Sequence, residues 1–319
     1  MQLWCNPLVA ARRWTVVETP GGLNEEHMEH TILEKRQLSE QVYMMRIDAP
    51  LIAEARQPGQ FIILQIDTDY GERIPLTIAD ADPEAGWIRI IFQAVGGTTL
   101  KLATYNEGDA VAAVLGPLGH PTHIENFGRA VCVGGGIGVA PLFPIAQALK
   151  NAGNHLTVII GARSKDLVIL EREMREIADE LIVVTDDGSY GRKALVTEPL
   201  RELCEGDRKP DIAVAIGPPI MMKFAAATTK PYGVHTMVSL NTIMVDGTGM
   251  CGGCRVDVGG ETKFVCVDGP EFDGHLVDFD NMMKRLQSYR THEDLARHQC
   301  LADAEAERIE AARLAKEHV

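Results

Sequence analysis

Three of the seven cysteines lie close together in the sequence, at Cys251, Cys254 and Cys266. Asp246 precedes Cys251, so the string reads D-x4-C-x2-C-x11-C. Plant-type [2Fe–2S] sites have the spacing C-x4-C-x2-C followed by a distant fourth cysteine. Asp246 occupies the position of the first ligand in that pattern. The spacing predicts a [2Fe–2S] cluster held by Asp246, Cys251, Cys254 and Cys266.

Two other types of site fit part of this pattern. Three thiolates and a carboxylate can hold structural zinc, although zinc ribbons usually pair two C-x2-C units and this segment has one. Cys251 and Cys254 could also form a redox dithiol, but such a pair normally begins a helix in a thioredoxin-like fold. The glycines at 247, 249, 252 and 253 favour the cluster, because they leave backbone N–H groups free to approach its sulfur atoms.

A second candidate site is the glycine-rich string Gly134–Pro141. It follows an apolar run and precedes a helical pattern, where backbone N–H groups at a helix start can bind phosphate. A dinucleotide fold of the common type carries Asp or Glu about 20 residues further on. Here the next strand ends in Arg163, Ser164 and Lys165. These residues could contact the 2′-phosphate of NADP or be solvated, and we favour NADH.

The elements that position these motifs divide the chain into segments. Short apolar runs at 42–47, 61–66, 87–92 and 110–115, with a helix over 98–105, predict an antiparallel β-barrel. From Gly128 the pattern alternates between strands and helices, which predicts a doubly wound α/β sheet. We predict a multidomain chain with a barrel over 30–126, a nucleotide-binding α/β domain over 127–237, a cluster domain over 238–284 and a helical tail over 285–319. Residues 1–29 are expected to be an unstructured extension.

Composition excludes several classes of protein. The 31 basic against 45 acidic residues give a net charge of −14, which argues against nucleic acid and anionic membrane surfaces as partners. No apolar run approaches the roughly 18 residues of a membrane-spanning helix, and the first 20 residues lack the features of a secretory signal. Seven cysteines in 319 residues are too few for a disulfide scaffold, so we expect a reduced, cytoplasmic protein.

The order of barrel, nucleotide-binding domain and cluster segment resembles the ferredoxin-reductase-like electron-transfer subunits. This family includes the small (alpha) subunits of NADH-dependent ferredoxin:NADP oxidoreductases, the beta subunits of sulfide dehydrogenases and the electron-transfer subunits of dihydroorotate dehydrogenases. Three strings carry the resemblance: R-I-P-L-T-I-A-D from Arg73, V-D-G-T-G-M-C-G-G-C from Val245, and C-V-D-G-P-E-F from Cys266. The resemblance covers about residues 30–280.

The resemblance implies which residues bind cofactors. Thr77 matches the hydroxyl residue that lies near the reactive N5 atom of FAD, and so is the candidate catalytic residue. Leu76 stands where an aromatic residue often stacks on the flavin, and Arg73 is one residue further from Thr77 than usual. The other implied FAD contacts are Pro75, Gly96, Gly97, Thr98 and Thr99. The implied contacts of NAD(H) or NADP(H) are Gly135, Gly136, Ile137, Gly138, Ala162, Arg163, Asp187, Gly188, Gly217 and Pro218.

The function implied is an NAD(P)H-dependent FAD and iron–sulfur oxidoreductase subunit in a heterodimer. It would pass electrons to or from a larger iron–sulfur flavoprotein subunit, most closely as in ferredoxin:NADP oxidoreductases. Sulfide and dihydroorotate dehydrogenases are the alternatives within the family. A flavin reductase that acts alone, a redox-sensing regulatory protein and a zinc-stabilised binding protein are the alternatives outside it.

Overall fold

In the computed structural model, which describes residues 30–68, 72–298 and 302, the first segment is a β-barrel. Its elements are β1 (His30–Ser39), β2 (Val42–Asp48), α1 (Pro50–Ala55), β3 (Phe61–Gln65), β4 (Arg73–Asp82), β5 (Trp87–Gln93), α2 (Gly97–Leu102), β6 (Ala110–Val111) and β7 (Ala113–Leu118). The antiparallel strands lie in the order β6-β1-β2-β5-β4-β3-β7. Because β6 and β7 are consecutive in the chain and pair with opposite ends of this sheet, they bring its two edges together and nearly close the barrel.

The barrel differs from the sequence prediction in two places. The run predicted as a single strand over 110–115 is divided into β6 and β7 at Ala112, whose N–H donates to the carbonyl of Ile66 at 3.0 Å. The helix predicted over 98–105 begins at Gly97 and ends at Leu102. Inside the barrel, Ile62, Leu64, Ile78, Ile88 and Ile90 are buried. Phe61 and Ile63 on the opposite face of β3 are buried in a second core, so this strand is a continuous apolar run in the sequence.

The second segment is a mostly parallel sheet with helices. Its elements are β8 (Arg129–Gly135), α3 (Val139–Asn151), β9 (His155–Ala162), α4 (Glu171–Ile177), β10 (Glu180–Thr185), β11 (Arg192–Lys193), α5 (Thr197–Glu205), β12 (Ile212–Ile216), α6 (Pro219–Thr229) and β13 (His235–Ser239). Short 3-10 turns lie at Gly136–Gly138, Lys165–Leu167 and Lys230–Tyr232. The strands follow the order β11-β10-β9-β8-β12-β13-β16, in which β16 (Glu271–Asp273) comes from the last segment and the sequence order changes direction at β8. Ligands of such sheets bind where the strand order reverses, at the carboxyl ends of the strands.

The last segment is joined to the nucleotide-binding sheet by strand pairing. It contains β14 (Arg255–Val258), β15 (Glu261–Phe264), α7 (Val265–Asp268), β16 (Glu271–Asp273) and α8 (Phe279–Gln287). β16 pairs antiparallel with β13, so the segment adds an edge strand to the large sheet. The boundaries predicted after 237 and after 284 fall within β13 and within α8.

The ends of the chain are described in part. Residues 290–298 are helical, and the extension 1–29 and most of the tail beyond 298 lie outside the described residues. Within the described ranges, no helix combines the length and apolarity needed to cross a bilayer.

Glu271 lies where the barrel, the linker to the nucleotide-binding domain and the cluster segment meet. The Thr122 hydroxyl donates to its Oε1 at 2.7 Å, and a Cβ on Gly59 would lie 3.1 Å from the same oxygen. Its Oε2 is buried without a hydrogen-bond partner among the described residues. Burial disfavours the charged carboxylate and raises the pKa of Glu271 to about 7, and the Thr122 hydrogen bond opposes that shift.

Glu271 should therefore make stability depend on pH. A carboxyl whose pKa is raised on folding stabilises the fold below its unfolded pKa of about 4.3, and this contribution is lost as the pH rises through about 7. We expect Glu271→Gln to be more stable than the parent at pH 8, by about 2–3 kcal/mol, with little difference at pH 4.5. Urea unfolding between pH 4.5 and 8 measures this difference. Glu84→Gln, at an exposed position, is the control. If the free energy of unfolding changes with pH by the same amount in the parent and in Glu271→Gln, the raised pKa of Glu271 is contradicted.

Candidate functional site

Two of the predicted cluster ligands form a buried pair. The Cys254 thiol donates to the Cys266 Sγ at 3.3 Å, and the Cys266 N–H donates to the Cys254 Sγ at 3.5 Å. Cys254 immediately precedes β14 and Cys266 lies in α7, so the β14–β15 hairpin brings them together. Burial, with the neighbouring Cys254, raises the pKa of the Cys266 thiol to about 12. Metal binding must displace these protons, because the thiolate is the form that ligates.

The other two predicted ligands meet at the outer side of the same loop. The Asp246 carboxylate accepts the N–H of Thr248 at 2.9 Å and the N–H of Cys251 at 3.1 Å. These bonds, the Thr248 N–H first, hold the pKa of Asp246 below its usual value. Cys251 is exposed, and its sulfur accepts the N–H of Gly253 at 3.4 Å. A charged carboxylate and an exposed thiol therefore lie together at the mouth of the loop.

The arrangement in pairs fits a two-iron cluster. Within the described residues, no three His, Cys, Asp or Glu side chains converge as a site for one metal ion. A zinc site needs its ligands around a single tetrahedral point, whereas a [2Fe–2S] cluster divides its four protein ligands between two irons. Cys254 and Cys266 form one such pair through their sulfurs, and Asp246 is joined to Cys251 through the backbone N–H of that residue. This favours the cluster over zinc, and the ligand set remains a prediction.

The cluster loop packs directly on the barrel. Gly247 has a φ of +71°, and a Cβ at this position would lie 2.7 Å from Leu118 Cδ1 and 2.8 Å from Ile63 Cγ1. Only glycine fits both the backbone conformation and the space. Ile63 on β3 pairs with Pro75 on β4. The loop that holds the predicted cluster is thus one strand away from the predicted flavin strand.

The predicted flavin residues lie along β4 on a surface open to a ligand. Arg73 is exposed, and Pro75, Leu76 and Thr77 are half-buried. The Arg73 Nε donates to the Gln65 Oε1 at 3.4 Å. The Thr77 hydroxyl makes no hydrogen bond to any described residue, so it is available to a bound group.

The predicted pyrophosphate turn lies beside the start of β4. The Thr99 hydroxyl oxygen accepts the N–H of Gly96 at 3.0 Å and so orders the start of α2. The Thr98 hydroxyl donates to Glu72 Oε2 at 2.7 Å, which joins the turn to the residue just before the flavin strand. Sequence reasoning missed Glu72, because no motif marks it. This contact joins the predicted pyrophosphate turn to the predicted flavin strand β4.

The predicted nucleotide contacts lie at the carboxyl ends of four parallel strands: Gly135–Gly138 after β8, Ala162 and Arg163 at β9, Asp187 and Gly188 after β10, and Gly217 and Pro218 after β12. A Cβ on Gly138 would lie 2.3 Å from the carbonyl oxygen of Ile216, and one on Gly135 would lie 2.3 Å from Met221 Sδ. Gly135 and Gly138 therefore pack against α6 and β12 with space for backbone alone, whereas no described residue lies within 4 Å of a Cβ on Gly136, the open position of the turn.

Ser189 joins the loops that follow β9 and β10. Its hydroxyl donates to Asp187 Oδ1 at 2.7 Å and accepts the N–H of Lys165 at 2.8 Å. The Ser189 hydroxyl and N–H hold the pKa of Asp187 below its usual value, so this loop carries a carboxylate. Arg163 is exposed next to it. Ser189 was not predicted, because its role depends on a contact across 24 residues of sequence.

Asp246→Cys tests whether the carboxylate is a ligand. We expect the variant to keep an iron–sulfur cluster and to shift its reduction potential, because a thiolate is a softer and more electron-donating ligand than a carboxylate. The potential is measured by a redox titration monitored by EPR. Asp268→Asn is the control, since Asp268 accepts the N–H of Phe264 at 2.6 Å and is outside the predicted ligand set. An unchanged spectrum and potential in Asp246→Cys would show that Asp246 is not a ligand.

Two family models match the chain over the segments that contain these sites. Residues 241–278 match the iron–sulfur cluster binding domain of dihydroorotate dehydrogenase B. Residues 132–227 match the oxidoreductase NAD-binding domain. The first match includes all four predicted cluster ligands, and the second includes the glycine turn and the other predicted nucleotide contacts.

Relatives match most of the chain. A Thermotoga maritima homologue of the electron transfer subunit of dihydroorotate dehydrogenase B (NAD(+)) is 50% identical over 265 residues, which cover 83% of this chain and 93% of that protein. The corresponding Geobacillus thermodenitrificans subunit is 35% identical over 250 residues, 76% of this chain and 95% of that one. A chain in a structure of an NADH-dependent reduced ferredoxin-NADP oxidoreductase, studied for flavin-based electron bifurcation, is 48% identical with a TM-score of 0.81. The match covers 86% of this chain and 98% of that one.

Proposed function

Because the chain belongs to the family of dihydroorotate dehydrogenase B electron transfer subunits and their homologues, we propose that it carries electrons between a nicotinamide nucleotide and a partner subunit, through FAD and a [2Fe–2S] cluster. It is an electron-transfer subunit of an oxidoreductase, and its cofactors are FAD, an iron–sulfur cluster and a nicotinamide nucleotide.

The contact of the cluster loop with the barrel is the observation that carries the proposal. Gly247 packs on Ile63 and Leu118, and Ile63 is paired with the strand that contains Thr77. The cluster loop thereby adjoins the flavin strand β4, and β4 is in contact with α3, the helix that begins at the nucleotide turn. Bound FAD supplies the chemistry that joins two-electron hydride transfer to single-electron transfer.

The residues of this chain bind and orient the groups that react. The open position of the turn, Gly136, faces the proposed site of the nucleotide phosphates beside the start of α3, and Arg163 and Asp187 flank the crevice. The Thr77 hydroxyl is a hydrogen-bonding group with no partner in the described part of the chain, next to the predicted position of the flavin. Gly96 and Gly97 bring backbone without side chains to the start of α2, and the Thr98–Glu72 contact joins that turn to the residue before β4.

The partner subunit is proposed to dock at the mouth of the cluster loop. Met250, Val245 and Val267 are 89%, 53% and 37% exposed and lie around the exposed Cys251. Apolar side chains exposed together are typical of protein interfaces. We propose that this surface contacts a larger iron–sulfur flavoprotein subunit and that electrons leave or enter there.

We propose a ferredoxin:NADP oxidoreductase alpha subunit as the specific role. It is supported by the 48% identity to the ferredoxin-NADP oxidoreductase chain and by the aspartate at position 246. Electron transfer for dihydroorotate oxidation is the second candidate, which the names of the relatives support. A sulfide dehydrogenase beta subunit and a redox-sensing regulator are the remaining alternatives.

Purification of the holoenzyme with its natural partner decides among these roles. Assays of the complex with NADH and, in turn, reduced ferredoxin with NADP, polysulfide, or orotate should show oxidation of NADH only when reduced ferredoxin and NADP are both present. Turnover with orotate or polysulfide alone would instead assign the chain to that branch. A complex that is reduced by NADH but shows no steady turnover with any acceptor would indicate a sensor.

A further inference from the structure

Two consecutive peptide groups in the cluster loop have their carbonyls held by arginine side chains. Arg255 Nη1, at the start of β14, donates to the carbonyl of Gly252 at 3.2 Å. Arg285 Nη2, on α8, donates to the carbonyl of Gly253 at 3.3 Å. Neither arginine belongs to the predicted ligand set. Arg285 reaches this loop from 32 residues further along the chain.

Peptide geometry determines what these contacts do to the opposite N–H groups. In a planar trans peptide the N–H points away from the C=O. With the Gly252 carbonyl held by Arg255, the N–H of Gly253 points the other way and donates to the Cys251 Sγ at 3.4 Å. With the Gly253 carbonyl held by Arg285, the N–H of Cys254 is likewise turned away from α8.

Arg285 extends from a firmly fixed helix. The Asp278 side chain caps the start of α8 by accepting the N–H of Asn281 at 2.9 Å, and the Asn281 side chain donates to Asp257 on β14. Phe279 and Met282 are buried in the core on the same helix. Arg285, one turn beyond Asn281, is half-buried, whereas its neighbour Lys284 is exposed.

We propose that Arg285, assisted by Arg255, is a positioning residue for the iron–sulfur cluster. Arg285 holds the loop peptides so that their N–H groups face the cluster sulfurs, and these N–H groups raise the reduction potential of the cluster. Reduction adds negative charge to a cluster, and N–H groups directed at sulfur stabilise that charge. This inference rests on the proposed function, since it requires that the loop holds a cluster.

Arg285→Met tests the proposal, because methionine preserves an unbranched apolar side chain and removes both the donors and the charge. Lys284→Met is the matched control, with the same loss of charge at an exposed position. The purified holoprotein is titrated by EPR for the cluster potential, and its FAD and iron contents are measured. We expect the reduction equilibrium constant of the cluster in Arg285→Met to fall about tenfold, which is about 59 mV for a one-electron couple. Lys284→Met should remain near the parent value.

The other results are also decisive. An unchanged potential in Arg285→Met, or an equal shift in Lys284→Met, would overturn the proposal. If Arg285→Met fails to bind iron, the titration is repeated with Arg285→Lys, because lysine keeps the positive charge but lacks the planar guanidinium group with its fixed N–H donors. A lowered potential in Arg285→Lys then supports the proposal, and a parental potential overturns it. A parent protein that holds no cluster would instead contradict the proposed function.

Discussion

Cys254→Ala is expected to abolish binding of the iron–sulfur cluster and to reduce NADH-driven electron transfer to the partner by at least about 100-fold. The Cys254 and Cys266 sulfurs lie 3.3 Å apart as one of the two donor pairs, so loss of Cys254 leaves one iron with a single protein ligand. Changes even to groups that only support metal ligands commonly cost 10–100-fold. Reduction of the flavin by NADH should persist, because β4, α2 and the glycine turn are unchanged.

Cys204→Ala provides the matched control for that variant. Cys204 is also a buried free thiol, on α5 of the nucleotide-binding segment and away from the cluster loop. Iron content, the EPR spectrum and the flavin-dependent reduction of a dye are compared in both variants. Full iron content in Cys254→Ala, or an equal loss of iron in Cys204→Ala, would contradict the ligand assignment.

Gly138→Ala is expected to have the second large effect, a loss of about 100-fold in the efficiency of flavin reduction by NADH. A Cβ at Gly138 would lie 2.3 Å from the carbonyl oxygen of Ile216 and 2.7 Å from the Cα of Gly217. Both obstacles are backbone atoms at the end of β12, so the turn itself must move away from the nucleotide. A displacement of about 1 Å in a binding group can cost about 100-fold in rate.

Gly233→Ala separates the clash from backbone strain, because Gly233 lies outside the predicted nucleotide contacts. Gly233 has a φ of +64°, and no described residue lies within 4 Å of a Cβ at that position. Its substitution costs only the strain of a left-handed residue, about 1–2 kcal/mol. Stopped-flow reduction by NADH gives the efficiency, and FAD and iron contents confirm that each variant is folded. Equal losses in the two variants would show that the contact with β12 does not shape the site.

Local patterns predicted the elements that carry the strongest sequence signals. The short apolar run from Trp87 to Phe92 predicted β5, and the glycine-rich string predicted the turn after β8. The cysteine spacing predicted that Cys254 and Cys266 belong to one site, and the β14–β15 hairpin brings their sulfurs to 3.3 Å. In each case the signal lies within a few residues and reflects burial or backbone conformation, which a single sequence records directly.

Contacts between distant segments could not be predicted in the same way. The pairing of β16 with β13 places the cluster segment on the nucleotide-binding sheet, so the predicted boundary after 237 falls within a strand. The Thr98–Glu72 contact and the Arg285–Gly253 contact likewise join residues that no motif connects. These contacts depend on how the elements pack, and a polar residue at an exposed or half-buried position carries no sign of its partner in the sequence.

We infer that one chain joins a nicotinamide nucleotide to an iron–sulfur cluster through FAD. Anaerobic titration of the purified chain with NADH, followed by visible absorbance and low-temperature EPR, tests this directly. We expect about one FAD and two iron atoms per chain, bleaching of the flavin, and a cluster EPR signal that appears with NADH and is absent in Cys254→Ala. A chain that contains zinc instead of iron, or whose flavin is reduced while the cluster never is, would contradict it.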